Sequence, residues 1–286
     1  MRRELREIIS GHGMTEVAGA ALTSFGLLSA IYQILLAIWP QWARHGWWIL
    51  CSLALGCLFA GVAHAWPRLS IRQSFGRPDF TIEVKCGDLF SESGNLVIGF
   101  TDTFDTDPEG GIVISPGSVQ GQFQSRYYQD TTTRLDELLN TALREHPVIA
   151  RESRNSKRAG KLARYAIGTT LVLNMSGSKF YAVAYGRMGN DLRVSSSVDA
   201  LWKSLGCAWN AIRTYGSLDP VAVPVIGSEL ARVGAMDRNS LVKMIALSFV
   251  ASTREDMVSR KLSIIIHPKD RGSVDMVDIR RFLRTL

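Results

Sequence analysis

Three glycine-containing loops are the parts of this 286-residue chain best suited to hold a ligand, because each follows a strand-like run. They are 87–89 (GDL), 101–111 (TDTFDTDPEGG) and 226–234 (IGSELARVG). Glycine lets the backbone approach an anion, and N–H groups ahead of a helix favour negative charge. Asp88 can accept a hydrogen bond from an exocyclic amine, and Arg232 can contact a phosphate. The pattern predicts a nucleotide site built from all three loops.

The second loop is unusually acidic. Four carboxylates fall within eight residues: Asp102, Asp105, Asp107 and Glu109. Carboxylates repel phosphate, so they are not expected to face a diphosphate. They could accept hydrogen bonds from ribose hydroxyls, pair with a cationic group of the ligand such as an ammonium, or stand in solvent as ordinary turn residues. The sequence leaves these roles open.

Other kinds of chemistry find little support in the sequence. The four cysteines (Cys51, Cys57, Cys86 and Cys207) form no CxxC pair, and no histidine has zinc-ligand spacing, so no metal is expected. A GxSxG nucleophile motif is missing. The GxGxxG fingerprint and the phosphate loop of NTPases are missing too, which argues against dinucleotide oxidoreductases and ATPases. We therefore expect neither a metal nor a cofactor, and no serine or cysteine nucleophile.

Short apolar strands alternate with helices between residues 80 and 286. Strands are predicted at 80–85, 96–100, 169–175, 180–185, 221–226 and 262–266, and the run 112–117 (IVISPG) is also strand-like. Helices are predicted at 118–128, 132–145, 198–215, 237–253 and 273–286. This alternation is typical of a sheet covered on both faces by helices. Open α/β sheets bind ligands at the carboxyl ends of their strands, where the three loops would lie.

Two charge-free runs precede this region, 23 residues at 17–39 and 21 residues at 46–66. A helix of roughly 20 apolar residues can span a bilayer. Tryptophans cluster at the ends of both runs, and arginines lie before the first and after the second. The pattern predicts a two-pass transmembrane hairpin over 1–67 with both termini cytoplasmic, then a juxtamembrane linker over 68–79. A pair of buried core helices is the alternative.

The segment 151–164 (RESRNSKRAGKLAR) is strongly basic and contains a single acidic residue. Such a run is usually a solvated loop or helix face. Contact with a membrane surface or with an anionic ligand is the alternative. Nucleic acid is not an expected partner, because the charge is local and no aromatic side chains interleave with it.

The order of GDL, NLVIGFTDTFDTD, GG and PVIGSELARVG before a helix resembles the macro domain family over roughly residues 80–286. The resemblance implies a macro-like three-layer α/β/α domain with a mixed sheet that binds an ADP-ribose derivative. By position, Asp88 would read adenine, the glycine-containing loops would wrap the ribose and diphosphate, and His267 would line the adenine pocket, unless it is a plain turn residue before Pro268. The nucleotide-binding residues implied are Asp88, Leu89, Thr101, Asp102, Thr103, Gly110, Gly111, Ile226, Gly227, Ser228, Glu229, Leu230, Ala231, Arg232, Val233, Gly234 and His267.

The same resemblance suggests a function. Macro-type ADP-ribosyl hydrolases carry Asn-Ala-Ala-Asn where this chain has GFTDTFDT, so binding is implied rather than hydrolysis. A two-helix anchor fused to such a domain is similar to the membrane-bound effectors of Thoeris antiphage systems. There a TIR-domain partner makes an ADP-ribose-derived messenger, for this branch ADP-ribose joined to histidine. The effector binds it, forms a homo-oligomer and disrupts the bilayer of the bacterial inner membrane.

Two other functions remain open on the sequence. One is a membrane-anchored ADP-ribosyl hydrolase, in which Asp102 or Asp105 would position a water molecule. The other is a tethered ADP-ribose reader without toxicity.

Overall fold

The computed structural model describes residues 70–129, 132–175, 177–226 and 236–286, and nine isolated positions between 22 and 56. The chain divides into two compact units, Met1–Leu69 and Ser70–Leu286. In the first unit the described positions are helical, and the Ser29 hydroxyl donates to the Gly26 carbonyl oxygen at 3.1 Å. The second unit contains the sheet and the loops that the sequence analysis selected.

The predicted transmembrane hairpin is not supported. Most of 17–39 and 46–66 lies outside the described residues, and within the described part no helix combines the length and apolarity needed to cross a bilayer. A charge-free run of about 20 residues is compatible with a spanning helix but does not establish one, because helices buried in a protein core share that composition. The fold prediction is therefore corrected to the α/β domain without the hairpin, and the two-pass location in the inner membrane is withdrawn.

Ten strands and five helices are described in the second unit. The strands are β1 (Ser70–Gly76), β2 (Asp79–Cys86), β3 (Asn95–Thr101), β4 (Ala150–Arg151), β5 (Ala163–Arg164), β6 (Thr170–Met175), β7 (Ser178–Met188), β8 (Val194–Ser195), β9 (Val221–Pro224) and β10 (Lys261–Ile266). The helices are α1 (Val119–Tyr127), α2 (Thr132–Leu143), α3 (Val198–Tyr215), α4 (Arg238–Glu255) and α5 (Met276–Thr285). Short 3₁₀ helices cover Leu89–Ser91, Glu109–Gly111 and Pro268–Ser273.

The main sheet has eight strands, seven of them in the order β1-β2-β10-β9-β3-β7-β6, while β8 pairs with β7. Strands β2, β10, β9, β3 and β7 run parallel, and the outer strands β1 and β6 are antiparallel to their neighbours. The five parallel strands therefore bring their carboxyl ends to one edge. That edge carries the loops after β2, β3, β9 and β10, as the sequence predicted.

Helices cover both faces of the sheet, so the three-layer α/β/α arrangement and the mixed sheet are confirmed. On one face α3, α4 and α5 pack over a core in which the Phe249 ring meets Trp209 and Phe80 edge-on. On the other face α1 and α2 cover a second core, where Phe123 lies 4.9 Å from Phe180 between ring centroids. Parallel strands buried on both sides read as continuous apolar runs, which is why β9 and β10 carry so few polar residues.

The short strands β4, β5 and β8 were not predicted, and two longer segments also differ from the prediction. The region predicted as an irregular linker contains β1, which pairs with β2 from Ser70 opposite Lys85 to Gly76 opposite Asp79. Its charged and polar side chains suit an edge strand, whose outer face is solvated. The run 112–117 forms no strand. Val113 and Ile114 instead pack against Met188 of β7 in a small apolar cluster. Their side chains are therefore buried although the segment does not belong to the sheet.

Candidate functional site

A cavity of about 220 Å³ lies at the carboxyl edge of the sheet. Its walls are the last residues of β3, β7, β9 and β10, the segment 113–122 that enters α1, and the first residue of α4. Parallel strands diverge into loops at this edge, which leaves room between the two helical layers. The position agrees with the predicted site.

The structure brings only some of the predicted residues to the cavity. Thr101, Ile226 and His267 line it. Among the other described members of the set, Asp88, Leu89, Asp102, Thr103, Gly110 and Gly111 are not part of the wall. The loop Gly227–Gly234 lies outside the described residues, so its phosphate-binding role stays a prediction.

The predicted adenine-binding loop lies beside the cavity. The Gly87 N–H donates to the Ile266 carbonyl oxygen at 3.0 Å, which places the loop next to the end of β10. Asp88 caps the following 3₁₀ helix by accepting from the Phe90 N–H at 3.1 Å, and its other carboxylate oxygen is 2.6 Å from the Arg126 guanidinium. The Asp88 carboxylate is thus oriented by two partners while remaining partly exposed.

His267 has a structural role as well as a place in the cavity wall. Its Nδ1 accepts a hydrogen bond from the Lys269 N–H at 3.3 Å, which caps the 3₁₀ helix that begins at Pro268. His267 is therefore a turn residue and also lines the cavity, so the two possibilities that the sequence left open do not exclude each other.

Asp102 is buried and paired with a basic side chain. One carboxylate oxygen lies 2.8 Å from the Arg164 guanidinium, and the other accepts from the Met188 N–H at 2.8 Å. Arg164 is equally buried, and it also donates to Glu152 at 2.7 Å and to Asn190 at 3.0 Å. Burial acts to lower the pKa of Arg164, but the hydrogen bonds to Glu152 and Asp102 raise it above the ordinary value, so the guanidinium stays charged.

Asp105 is held in the same way. Its carboxylate lies 3.3 Å from the fully buried Lys157 ammonium and accepts from the Thr103 hydroxyl at 2.5 Å and from the Lys161 N–H. Burial lowers the pKa of Lys157, and the facing carboxylate opposes that shift. Gly160 makes this packing feasible, because its φ is +76° and an added Cβ would lie 2.6 Å from the Asp105 carboxylate.

These ion pairs answer two questions that the sequence left open. Asp102 and Asp105 are neither solvated turn residues nor free acceptors for a cationic ligand group, because basic side chains of 151–164 already neutralise them. The basic segment is likewise not simply a solvated run, since Lys157 and Arg164 are buried in it. A buried carboxylate needs a basic partner. The presence of an acidic loop and a basic loop in one chain is therefore the sequence signal that could predict these ion pairs.

An aromatic residue fixes the turn of the acidic loop. Phe104 is fully buried with a φ of +47°, and its N–H donates to the Thr101 carbonyl oxygen at 3.1 Å. Its ring lies 5.7 Å from Phe100 and 5.9 Å from Tyr165 between centroids. The loop is therefore anchored by an apolar side chain as well as by two ion pairs, which gives the cavity a rigid wall.

The beginning of α4 supplies positive charge to the cavity. Arg238, Lys269 and Asp270 line it, and the Arg238 guanidinium is paired with Asp270 at 2.8 Å, so the Lys269 ammonium and the Arg238 Nε are the groups left to meet an anion. The Arg238 Nε is buried and, among the described residues, has no hydrogen-bond partner. N–H groups at the start of a helix add to the positive potential. This end of the cavity can accept an anionic group.

Asp237 caps α4 at this point, because its carboxylate accepts from the Ser240 N–H at 2.8 Å. That hydrogen bonding holds the pKa of Asp237 below the ordinary 3.8. Asp237→Ala is expected to lower the free energy of unfolding by about 1 kcal/mol at pH 7. The contribution exists above the unfolded-state pKa and is lost as pH falls through the lower folded-state value, so the deficit should shrink below about pH 4. Urea unfolding at several pH values measures it.

Asp237→Asn is the matched control, since asparagine keeps the cap but does not titrate. We expect it to retain most of the stability at pH 7. A deficit for Asp237→Ala that is the same at pH 3 and pH 7 would contradict the assignment of the charged carboxylate to the cap.

Tyr185 is a cavity residue that the sequence analysis missed. It lies in β7, its side chain lines the cavity, and its ring packs over Gly99 of β3, where an added Cβ would approach the ring to 2.6 Å. From the sequence it looked like one more core residue of an apolar strand. The glycine in the middle of the run NLVIGF was the signal that something approaches the backbone closely there.

A mixed α/β sheet with a cavity at its carboxyl edge, next to the start of a helix, agrees with the macro domain predicted from the sequence. A family profile described as Thoeris protein ThsA, Macro domain, matches residues 82–267. The chain belongs to this family, which makes it a Thoeris antiphage-defence protein with a macro domain of the ADP-ribose-binding type. The resemblance to the macro domain and Thoeris families is thereby confirmed, without the membrane anchor.

The chain is also similar to individual proteins. Thoeris protein ThsA of Bacillus amyloliquefaciens (strain Y2) is 25% identical over 209 residues, which cover 70% of this chain and 67% of that protein. Solved structures of the Oceanobacillus iheyensis macrodomain, one with ADP and one with MES bound, share 12% identity with the chain. Their TM-scores are 0.49 and 0.48, and each match covers 76% of this chain and 96% of the other.

Proposed function

We propose that this protein binds an ADP-ribose-derived messenger in the cavity at the carboxyl edge of its sheet, and that a TIR-domain partner supplies that messenger. The observation that carries the proposal is the cavity itself, with Arg238 and Lys269 at one end and the strand ends of β3, β7, β9 and β10 around it. Family membership supports the choice of ligand class.

The diphosphate would occupy the basic end of the cavity. Arg238 is the first residue of an 18-residue helix, so a bound anion there would meet both the guanidinium and the helix N-terminus. The buried Nε without a partner among the described residues is a donor that a phosphate oxygen can satisfy. The adjacent loop 226–234 would add backbone N–H groups, as predicted from its glycines.

Binding without catalysis is the role that we propose. Both hydrolases and non-catalytic binders occur among macro domains, and the two carboxylates that the sequence offered to position a water molecule are Asp102 and Asp105. Each is engaged by a buried cation and by further hydrogen bonds. Neither is therefore free to act as a base, and the hydrolase alternative is not favoured by any described contact.

Self-association on binding and the identity of the group attached to ADP-ribose stay predictions from the family resemblance. Disruption of the inner membrane is not part of the proposal, since the hairpin on which it rested is not supported. The buried ion pairs of Asp102 and Asp105 also remove the reason for assigning a cationic ligand substituent to those carboxylates.

Arg238→Met should weaken ADP-ribose binding by roughly ten- to a hundredfold, because a charge-assisted hydrogen bond contributes about 1.5–3 kcal/mol. Isothermal titration calorimetry of the full chain with ADP-ribose measures this loss. Arg254→Met is the matched control: it removes an exposed arginine from the opposite end of the same helix, roughly 24 Å away at 1.5 Å per residue. Equal affinity for both variants would place the diphosphate elsewhere.

A further inference from the structure

Tyr185 presents an unused polar atom to the cavity. Its hydroxyl has no hydrogen-bond partner among the described residues, although the side chain is half-buried and belongs to the cavity wall. The Tyr185 oxygen is not among the buried polar atoms that lack a partner within the described residues, so it is open to water. A hydroxyl that no described protein group engages, on a residue that lines the proposed ligand cavity, is a group that a ligand can bind.

The tyrosine is also held in place. Its ring lies on the backbone of Gly99 in β3, so closely that a Cβ at that position would come within 2.9 Å of two ring carbons. Its own backbone carbonyl accepts from the Ser196 hydroxyl at 2.5 Å. A rigid donor loses little conformational entropy when it binds, which favours specific recognition. Burial raises the pKa of Tyr185 to about 12, so the phenol stays protonated at physiological pH.

We propose that the Tyr185 hydroxyl is a specificity-determining contact that hydrogen-bonds an oxygen atom in the diphosphate–ribose part of the ligand. This inference rests on the proposed function, since it assigns a partner to one residue of the same cavity. A neutral phenol can donate a hydrogen bond to an oxygen acceptor. It carries no negative charge that would pair with an ammonium. Tyr185 would thereby complement Arg238, which lines the same cavity.

Tyr185→Phe tests the proposal, because it removes the hydroxyl and keeps the ring over Gly99. The affinity of the full chain for ADP-ribose should fall roughly three- to tenfold, the range for one neutral hydrogen bond. The melting temperature without ligand should stay within about 1 °C of the wild type, since no described protein contact is lost.

Tyr181→Phe is the matched control. Tyr181 lies four residues earlier on the same strand and the same face, but it is fully buried and its hydroxyl donates to the Asn95 side-chain oxygen at 3.2 Å. Removing it should leave the affinity for ADP-ribose unchanged and lower the melting temperature by roughly 2–4 °C, because Asn95 loses a buried partner. Tyr185→Phe is thus expected to lower the affinity but not the melting temperature, and Tyr181→Phe the melting temperature but not the affinity.

Each outcome decides the matter. A lower affinity for Tyr185→Phe, without a loss for Tyr181→Phe, supports the contact. A loss with ADP-ribose only assigns the contact to the ribose that ADP lacks, whereas a loss that also occurs with ADP assigns it to the diphosphate. Unchanged affinity for Tyr185→Phe, or an equal loss for Tyr181→Phe, overturns it. A wild-type chain that binds neither compound would instead refute the proposed function, so the two failures are distinguishable.

Discussion

Arg164→Met is expected to lower the free energy of unfolding by about 3–5 kcal/mol, because the buried Asp102 carboxylate loses its buried counterion and keeps only the exposed Arg187 at 4.0 Å. Asp102 is 3% exposed and Arg164 2%, so water cannot replace the lost guanidinium. The substitution also removes donors from Glu152 and Asn190. Urea unfolding of the full chain, followed by circular dichroism, measures the loss as a shift of the midpoint at constant slope.

Two variants control this experiment. Arg193→Met removes a guanidinium that is 90% exposed and 3.9 Å from Asp191, so it should change the free energy of unfolding by less than about 0.5 kcal/mol. Asp102→Asn combined with Arg164→Met should be less destabilised than the sum of the single variants, because no buried charge then stands alone. An Arg164→Met protein as stable as Arg193→Met would contradict the buried ion pair.

Lys157→Met should have the second-largest effect, about 3 kcal/mol. Asp105 then keeps the Thr103 hydroxyl and the Lys161 N–H, but loses the only buried cation described against it. Because Asp105 lines the cavity, the loss should also reduce ADP-ribose affinity by loosening the wall. Unfolding in urea and calorimetry on the same preparation give both numbers.

The neighbouring lysine provides the comparison. Lys161 pairs with Asp136 at 2.7 Å, and the Asp136 side chain is 39% exposed, so water can solvate the carboxylate that Lys161→Met leaves behind and the free energy of unfolding should fall by at most about 1 kcal/mol. Similar losses for the two lysine variants would show that burial does not distinguish them and would weaken the account of the acidic loop.

Local patterns predicted most of the α/β fold. Helix α3 was predicted at the residues where it occurs, and Asp237 was recognised as the cap of α4. The carboxyl-edge position of the loops followed from the alternation of strands and helices. These features depend on side-chain periodicity and capping within one segment, which a single sequence displays directly.

Features that join distant segments were missed. Arg164 lies 62 residues from Asp102, and neither residue type indicates which partner it will find. In the sequence Tyr185 resembles a core residue, because its packing against Gly99 at the cavity is visible only in the structure. β1 was taken for a linker, because a short edge strand with polar side chains resembles a loop. The transmembrane prediction for the charge-free runs near the N-terminus was wrong for a related reason. Composition alone does not show whether an apolar segment contacts lipid or protein.

Ligand-dependent stabilisation is the most direct test of the central claim that the cavity binds an ADP-ribose derivative. The full chain is unfolded in urea with increasing ADP-ribose, and in parallel with histidine-linked ADP-ribose. A ligand at a hundred times its dissociation constant should raise the free energy of unfolding by about 2.7 kcal/mol, and Arg238→Met should require correspondingly more ligand for the same gain. Unfolding curves that do not move at any concentration of either compound would contradict the account.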